Sequence, residues 1–351
     1  MADKFRALAI PVTIFAALVA LSVFAAPLRD VLSLALPFFG MILTGYVCGK
    51  LIEISESGLA WMNAFIIYVA LPALFFNLVH VTPVEELANL RFVLTILFCT
   101  GFAFCCALAM GWFVSRRIDE AAIQGVAGGY SNVGYMGPGL TLAALGPQSV
   151  VPTALIFVLD STFFFTVVPL LMAFAAAQRS AGKEEPRLGQ TMALVVRRVV
   201  THPFNIATAL GVLFAALHLQ PPAAVGKLLT YLQGAAAPCA LFVMGVTVAL
   251  RPLKRISPEM PFLLLMKLVL HPLLVWFVMT SIGGFNPVWV YTAVLMAALP
   301  PALNVFVMAN QYRVYVERAS SIILIGTIVS VVTVTALLYF ITSGAMPHRL
   351  F

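Results

Sequence analysis

The chain has 351 residues, 62% hydrophobic and 9% charged, and its 20 Lys+Arg against 13 Asp+Glu leave a net charge of +7. Soluble domains carry about 25% charged residues to cover their surfaces, so this composition excludes a soluble enzyme and a nucleic-acid-binding domain. The apolar runs are continuous rather than alternating, which excludes an outer-membrane barrel and predicts an all-α polytopic membrane protein.

Runs of spanning length fall near residues 7–27, 31–49, 58–80, 92–114, 121–146, 150–177, 200–219, 223–249, 261–283, 288–312 and 319–342. The first follows Lys4 and Arg6 and ends in Ser22-Val23-Phe24-Ala25-Ala26-Pro27, as a signal-like segment does. Its length also suits a retained extra helix over residues 1–30. With the first end placed in the cytoplasm, fifteen of the 20 basic residues fall in inside loops. Four fall outside (Arg29, Arg91, Lys227 and Arg349), and Lys267 lies within a span. This is the positive-inside bias, so the net charge reports topology. Cys48, Cys99, Cys105, Cys106 and Cys239 fall in or beside apolar spans without zinc-ligand spacing. They read as small packing residues.

Setting the first span aside leaves ten, divided five and five by the basic loop 178–198: a first repeat over 31–177, a second over 199–342, and a tail over 343–351. Ala70-Leu71-Pro72-Ala73-Leu74-Phe75-Phe76 in the second span of one half matches Ala237-Pro238-Cys239-Ala240-Leu241-Phe242 in the other. The fourth spans are both interrupted, one by Ser131-Asn132-Val133-Gly134-Tyr135-Met136-Gly137-Pro138-Gly139 and the other by Leu299-Pro300-Pro301-Ala302-Leu303-Asn304. Five spans per repeat is odd, so the second repeat must lie inverted, a signature of secondary transporters.

Both interruptions sit near mid-span. Pro138, Pro300 and Pro301 lack an amide donor and clash with the preceding turn, and glycines such as Gly137 weaken the helix further. Backbone freed at this depth must be buried or line a wet cavity. A proline can also start a second half-helix, which would place free N–H groups and a positive dipole end at mid-membrane, suited to an anion. Ser131, Asn132 and Asn304 add side-chain donors and acceptors there.

These residues resemble the auxin efflux carrier family, which includes bacterial malonate-type carriers. Ser131-Asn132-Val133-Gly134-Tyr135-Met136-Gly137-Pro138 is similar to the family's Ser-Asn-x-Gly-aromatic-x-Gly motif. Further matches are Leu71-Pro72-Ala73-Leu74-Phe75, the run from Pro203 to Gly211, Pro238-Cys239-Ala240-Leu241-Phe242, Lys267-Leu268-Val269-Leu270-His271-Pro272, Leu299-Pro300-Pro301-Ala302 and Ala319-Ser320-Ser321. The ordered set covers about residues 31–342. The resemblance implies a ten-helix core of two inverted five-helix repeats whose fourth and ninth helices break and cross. A substrate carboxylate would bind beside the crossing, at Ser131, Asn132, Gly137, Pro138, Pro300, Pro301 and Asn304. It implies transport of organic anions such as auxin, malonate or malate across a bacterial cytoplasmic membrane; the charge bias itself puts the basic loop 178–198 in the cytoplasm and the C-terminus outside. No cofactor is implied, and homodimers occur in the family. The chain departs from the family in its first helix, in the short loop 178–198, and in reading Gly326-Thr327 where members often carry Ser-Thr.

Two ionisable residues lie inside spans. Asp160 is a candidate proton carrier or sodium ligand, or a protonated carboxyl bonded to a neighbouring helix. Lys267 could neutralise a substrate carboxylate or snorkel to the interface. His271, four residues on, could share a proton path or simply pack before Pro272. His80, His202 and His218 read as interface residues. Rival chemistries lack their residues: an intramembrane aspartyl protease needs a second membrane aspartate, and His-Glu-x-x-His and Gly-x-Ser-x-Gly are absent. An anion channel and a sodium-coupled bile-acid-type symporter remain as alternatives to a carrier.

Overall fold

The computed structural model describes residues 26–52, 56–83, 89–179, 203–250 and 257–348, with short pieces at 12–13, 15–17, 19–20, 197 and 200–201. Most of the predicted first span, nearly all of the basic loop 178–198, His202, Arg251, Lys254, Arg255 and Arg349 lie outside the described residues. Among the described residues every element is a helix or helical turn, and the one extended pairing is an isolated antiparallel bridge between Ser131 and Pro301. The chain is a multi-pass membrane protein. Among the described residues seven helical runs have the length and hydropathy to cross a membrane: Leu32–Leu51, Gly58–Val79, Leu90–Ser115, Pro147–Ala176, Ala223–Leu250, Met260–Ile282 and Val316–Thr342.

α1 (Ala26–Leu51) starts earlier than the predicted 31. α2 (Glu56–Phe65) runs through a π turn, Ile66–Ala70, into α3 (Leu71–Val79). Pro72 follows that turn, and the Leu71 amide reaches back to the Ile66 carbonyl. A π turn carries an extra residue and relieves the clash a proline imposes on the preceding turn. α4 (Leu90–Ser115) is capped by Asn89, whose side chain accepts from the Phe92 amide at 3.1 Å. α5 (Ile118–Gly129) and α6 (Gly137–Leu145) replace the predicted span 121–146. α7 (Val150–Arg179) follows a short 3-10 turn.

In the second half, α8 (Pro203–Ala216) has 14 residues, shorter than the predicted 200–219. α9 (Ala223–Leu250) contains Pro238. α10 (Met260–Leu265) passes through a second π turn, Met266–Leu270, into α11 (His271–Ile282), again just before a proline, Pro272. α12 (Pro287–Ala298) and α13 (Asn304–Tyr312) replace the predicted span 288–312. α14 (Val316–Thr342) is entered through two left-handed residues, Arg313 at φ 55° and Tyr315 at φ 60°.

The helices form two packed groups that mix both halves of the chain. In the first, α9 packs on α1 and α3, and α3 on α8. Its tightest contact needs glycine: a Cβ at Gly45 would lie 2.0 Å from the Phe242 carbonyl oxygen, and one at Gly245 would lie 1.9 Å from that of Ile42. Small residues let membrane helices approach to backbone contact, where dispersion replaces the missing hydrophobic drive. In the second group α5 packs on α4 and α7, α11 on α4 and α12, and α12 on α7 and α14. Among the described residues no buried polar side chain lies in α1, α3, α8 or α9; those within helices lie in this second group, in α6 and in the short turns that feed α7 and α11.

Candidate functional site

The two interruptions meet. α5 stops at Gly129 and α6 resumes at Gly137; α12 stops at Ala298 and α13 resumes at Asn304. Between them the Asn132 amide donates to the Pro300 carbonyl at 2.9 Å, and the Ala302 amide donates to the Tyr130 carbonyl at 3.0 Å. Ser131 and Pro301 face each other between those two bonds. Theirs is the non-hydrogen-bonded position of an antiparallel pair, so the missing donor of Pro301 costs nothing there. Each break thus satisfies backbone groups the other has freed, as burial in a bilayer demands. Glycine permits the approach: a Cβ on Gly137 would lie 2.6 Å from Met296 Sδ, and one on Gly326 of α14 would lie 2.7 Å from Pro301 Cδ.

Pro138 occupies the first turn of α6, as predicted, but α13 does not start on a proline. Pro300 and Pro301 lie in the extended link, and Asn304 is the first residue of α13. The matching positions in the two broken segments are therefore the helix ends, and not the prolines. Ile118 and Pro287 are 169 apart (287 − 118), as are Gly129 and Ala298 (298 − 129).

Side chains tie the crossing to the helices around it. Ser131 Oγ donates to the Ala297 carbonyl at 3.3 Å. Lys267 Nζ donates to the same carbonyl and lies 3.4 Å from His271 Nδ1. Lys267 is 0% exposed, so it does not snorkel to an interface. Asp160 accepts from Thr100 of α4 at 2.9 Å and is within electrostatic reach of Lys267. Asn132 donates to Met244 Sδ at 3.0 Å, while its Oδ1 is buried and makes no hydrogen bond. Asn304 Nδ2 donates to Tyr130 Oη at 3.2 Å, and Tyr130 Oη pairs with Ser161 Oγ at 3.1 Å. Ser131, Asn132, Gly137, Pro138, Pro300, Pro301, Asp160, Lys267 and His271 are all buried, and Asn304 is half-buried. The site thus brings the predicted residues into one connected region.

Sequence reasoning missed Tyr130, which bonds to both α7 and α13 and stacks on Phe164 with ring centroids 4.4 Å apart. Its place between Gly129 and Ser131, at the edge of the break, is the signal that could have found it. It also missed Met244 and the Ala297 carbonyl, neither of which has a sequence mark.

A second polar cluster lies at the end of the bundle that carries Arg117 and Arg318. Arg318 Nη1 is 3.3 Å from Glu259 and 3.7 Å from Glu120, joining α14 to α5 and to the residue before α10. Arg117 pairs with Asp119 at 2.9 Å and Glu120 at 3.0 Å. Tyr315 donates to Glu259 at 2.5 Å. Burial alone would raise the Glu259 carboxyl, but bonds from Tyr315, its own backbone and Ser257, with the Arg318 charge, hold it below the usual carboxylate range. At the opposite end a cavity of about 490 Å³ is lined by Leu78, Thr82, Gln148, Val151 and Trp289. Beneath it a void of about 10 Å³ reaches Pro138, Thr141 and Thr153, and both spaces share Leu78 and Val150.

Half-helices meeting among buried polar groups are the apparatus of a membrane transporter, and residues 30–338 match the family described as "Membrane transport protein". The chain belongs to that family, the auxin efflux carrier family. A protein of Rhizobium meliloti described as "Putative malonate transporter" is 49% identical over 92% of this chain and 100% of its own length. An "Uncharacterized transporter" of Methanothermobacter thermautotrophicus is 27% identical over 84% of this chain and 92% of its own. "Auxin efflux carrier component 1" of Arabidopsis thaliana is 26% identical over 43% of this chain and 25% of its own. These relatives are transporters, and the chain is a transporter and not an enzyme.

Proposed function

We propose that this transporter is a secondary carrier of small organic anions, mono- or dicarboxylates of the malonate or malate kind, working by alternating access. The substrate carboxylate binds beside the crossing, at Ser131, Asn132, Gly137, Pro138, Pro300, Pro301 and Asn304. Asp160, Lys267 and His271 compensate its charge or couple it to a cation.

The observation that carries the reading is the unpaired, buried Oδ1 and weakly held amide of Asn132, beside two paired helix breaks. A buried amide oxygen without a partner is costly, so its persistence fits a group held for a ligand. The name of the Rhizobium relative supports the choice of malonate-like substrates. The ten-helix core of two inverted repeats is supported by the broken segments: each joins a half-helix of 12 residues to one of 9. The excess of basic residues in one set of loops supports placing the end with Arg117 and Arg318 in the cytoplasm. The large cavity then opens outward, and the Glu259–Arg318 cluster closes the inner side.

Counterflow in proteoliposomes tests the reading. Vesicles loaded with unlabelled malonate should accumulate labelled malonate in a saturable way. Ohmic anion currents without exchange would instead make the protein a channel.

A further inference from the structure

The void of about 10 Å³ is bounded by Leu74 and Leu78 of α3, Pro138 and Thr141 of α6, and Thr153 of α7. α3 belongs to the first group of helices and α7 to the second, and the two pack together, so the void lies on the seam between the groups. It has room for about one water. Neither the void nor the large cavity above it is lined by a charged side chain.

Thr141 and Thr153 are each 1% exposed, with their hydroxyl oxygens 2.9 Å apart. Thr141 donates to the Gly137 carbonyl at 2.9 Å, so the proton between the pair is that of Thr153. A helical threonine ordinarily turns its hydroxyl back to the carbonyl four residues earlier, as Thr95, Thr247 and Thr327 do. Thr153 does not: among the described residues its one partner is Thr141. Its proton is held outside its own helix in a neutral bond, which an anion can replace with a stronger one. Thr153 also lies in the first turn of α7, where the helix dipole is positive and attracts an anion that the uncharged lining does not. Along α6, Thr141 is one turn beyond Gly137, about 6 Å, within the span of a short dicarboxylate and its hydrogen bonds.

We infer that the Thr141–Thr153 hydroxyl pair is the subsite for the second carboxylate of a dicarboxylate whose first carboxylate lies at the crossing, and that Thr153 separates dicarboxylates from monocarboxylates. The inference rests on the carrier reading and names its substrate class. When α3 draws back from α7 the seam widens, and Thr153 turns its proton from Thr141 to the carboxylate. Thr141 stays on the Gly137 carbonyl. A monocarboxylate leaves the pair bonded to itself and gains nothing there.

The test is calorimetric titration of malonate and of propionate, in which a methyl group replaces one carboxylate, into the purified full chain in detergent. The wild type should bind malonate about tenfold or more tighter than propionate, the worth of a hydrogen bond to a charged group. Thr153→Val keeps the shape and removes the hydroxyl. It should lose about tenfold or more in malonate affinity and leave propionate within about twofold. Thr153→Ser restores the hydroxyl and should restore malonate binding. Asn132→Ala, at the other carboxylate, should weaken both acids. Equal binding of the two acids by the wild type would overturn the inference without any variant. So would a Thr153→Val protein that keeps its malonate affinity, or one that loses both acids alike. A wild type that binds neither acid would instead refute the carrier reading itself, and the subsite with it.

Discussion

The two groups of helices solve the problem of holding together in lipid in opposite ways. α1, α3, α8 and α9 meet mainly through apolar surface and glycine, with Gly45 and Gly245 bringing two backbones into contact and one half-buried side-chain bond, from Asn77 to Gln233 at 2.9 Å, joining α3 to α9. The helices around the crossing instead carry the buried polar residues Thr100, Gln124, Asn132, Asp160, Lys267 and Thr292. Close packing between small residues has no slack, because side-chain rotation cannot relieve a clash with backbone. A polar group that is partly satisfied can exchange partners, and here Gln124, Asn132, His271 and Thr292 each have buried side-chain atoms without a hydrogen bond. Under the proposed function, the first group is the scaffold and the second carries the chemistry.

Substitutions can break that contrast, and the largest effect belongs to the scaffold. Gly245→Leu puts a branched side chain where even a Cβ meets the Ile42 carbonyl at 1.9 Å. It should cost more than about 4 kcal/mol, seen as loss of the monodisperse peak in size-exclusion chromatography. An intact peak would show that α1 and α9 can part without loss. Asn132→Ala should do the reverse. It removes one weak amide–thioether bond and one unpaired oxygen, so the thermal midpoint should stay within a few degrees. Carboxylate affinity should fall about tenfold or more, about 1.4 kcal/mol, by isothermal titration calorimetry.

Smaller effects sharpen the contrast. Tyr130→Phe keeps the stacking on Phe164 but leaves Ser161 and Asn304 without that hydroxyl. A loss of about 1–2 kcal/mol in stability is expected, read as a lower thermal midpoint. The cluster at Glu259 should give the gentlest response, visible against pH. Its folded carboxyl lies below the unfolded value, so its stabilisation is present above the ordinary carboxylate range of about 4.3 and fades as pH falls through the lower folded value. A midpoint titration from pH 7 downward should show this decline, and Glu259→Gln should flatten it.

Much of this arrangement is legible in the sequence because glycine and proline have local effects. The breaks at 130–136 and 299–303 follow from residues in and beside them that cannot continue a helix. What the breaks do to each other is not legible, since the bonds from Asn132 to Pro300 and from Ala302 to Tyr130 join positions some 170 residues apart. For the same reason Pro300 and Pro301 read as a helix start, when their place is a strand link that needs no amide. Lys267 can be seen as a charge inside a span. Its direction depends on a π turn that apolar periodicity does not reveal. Glu259, Tyr315 and Arg318 escape notice because each alone reads as an ordinary end-of-helix residue.

The central claim is that a carboxylate binds beside the crossing. The most direct measurement is calorimetric titration of malonate into the purified wild type and into Asn132→Ala, each shown to be folded by its thermal midpoint. Saturable binding by the wild type that weakens tenfold or more in the variant is the predicted result. Equal affinity in the two proteins would contradict the account.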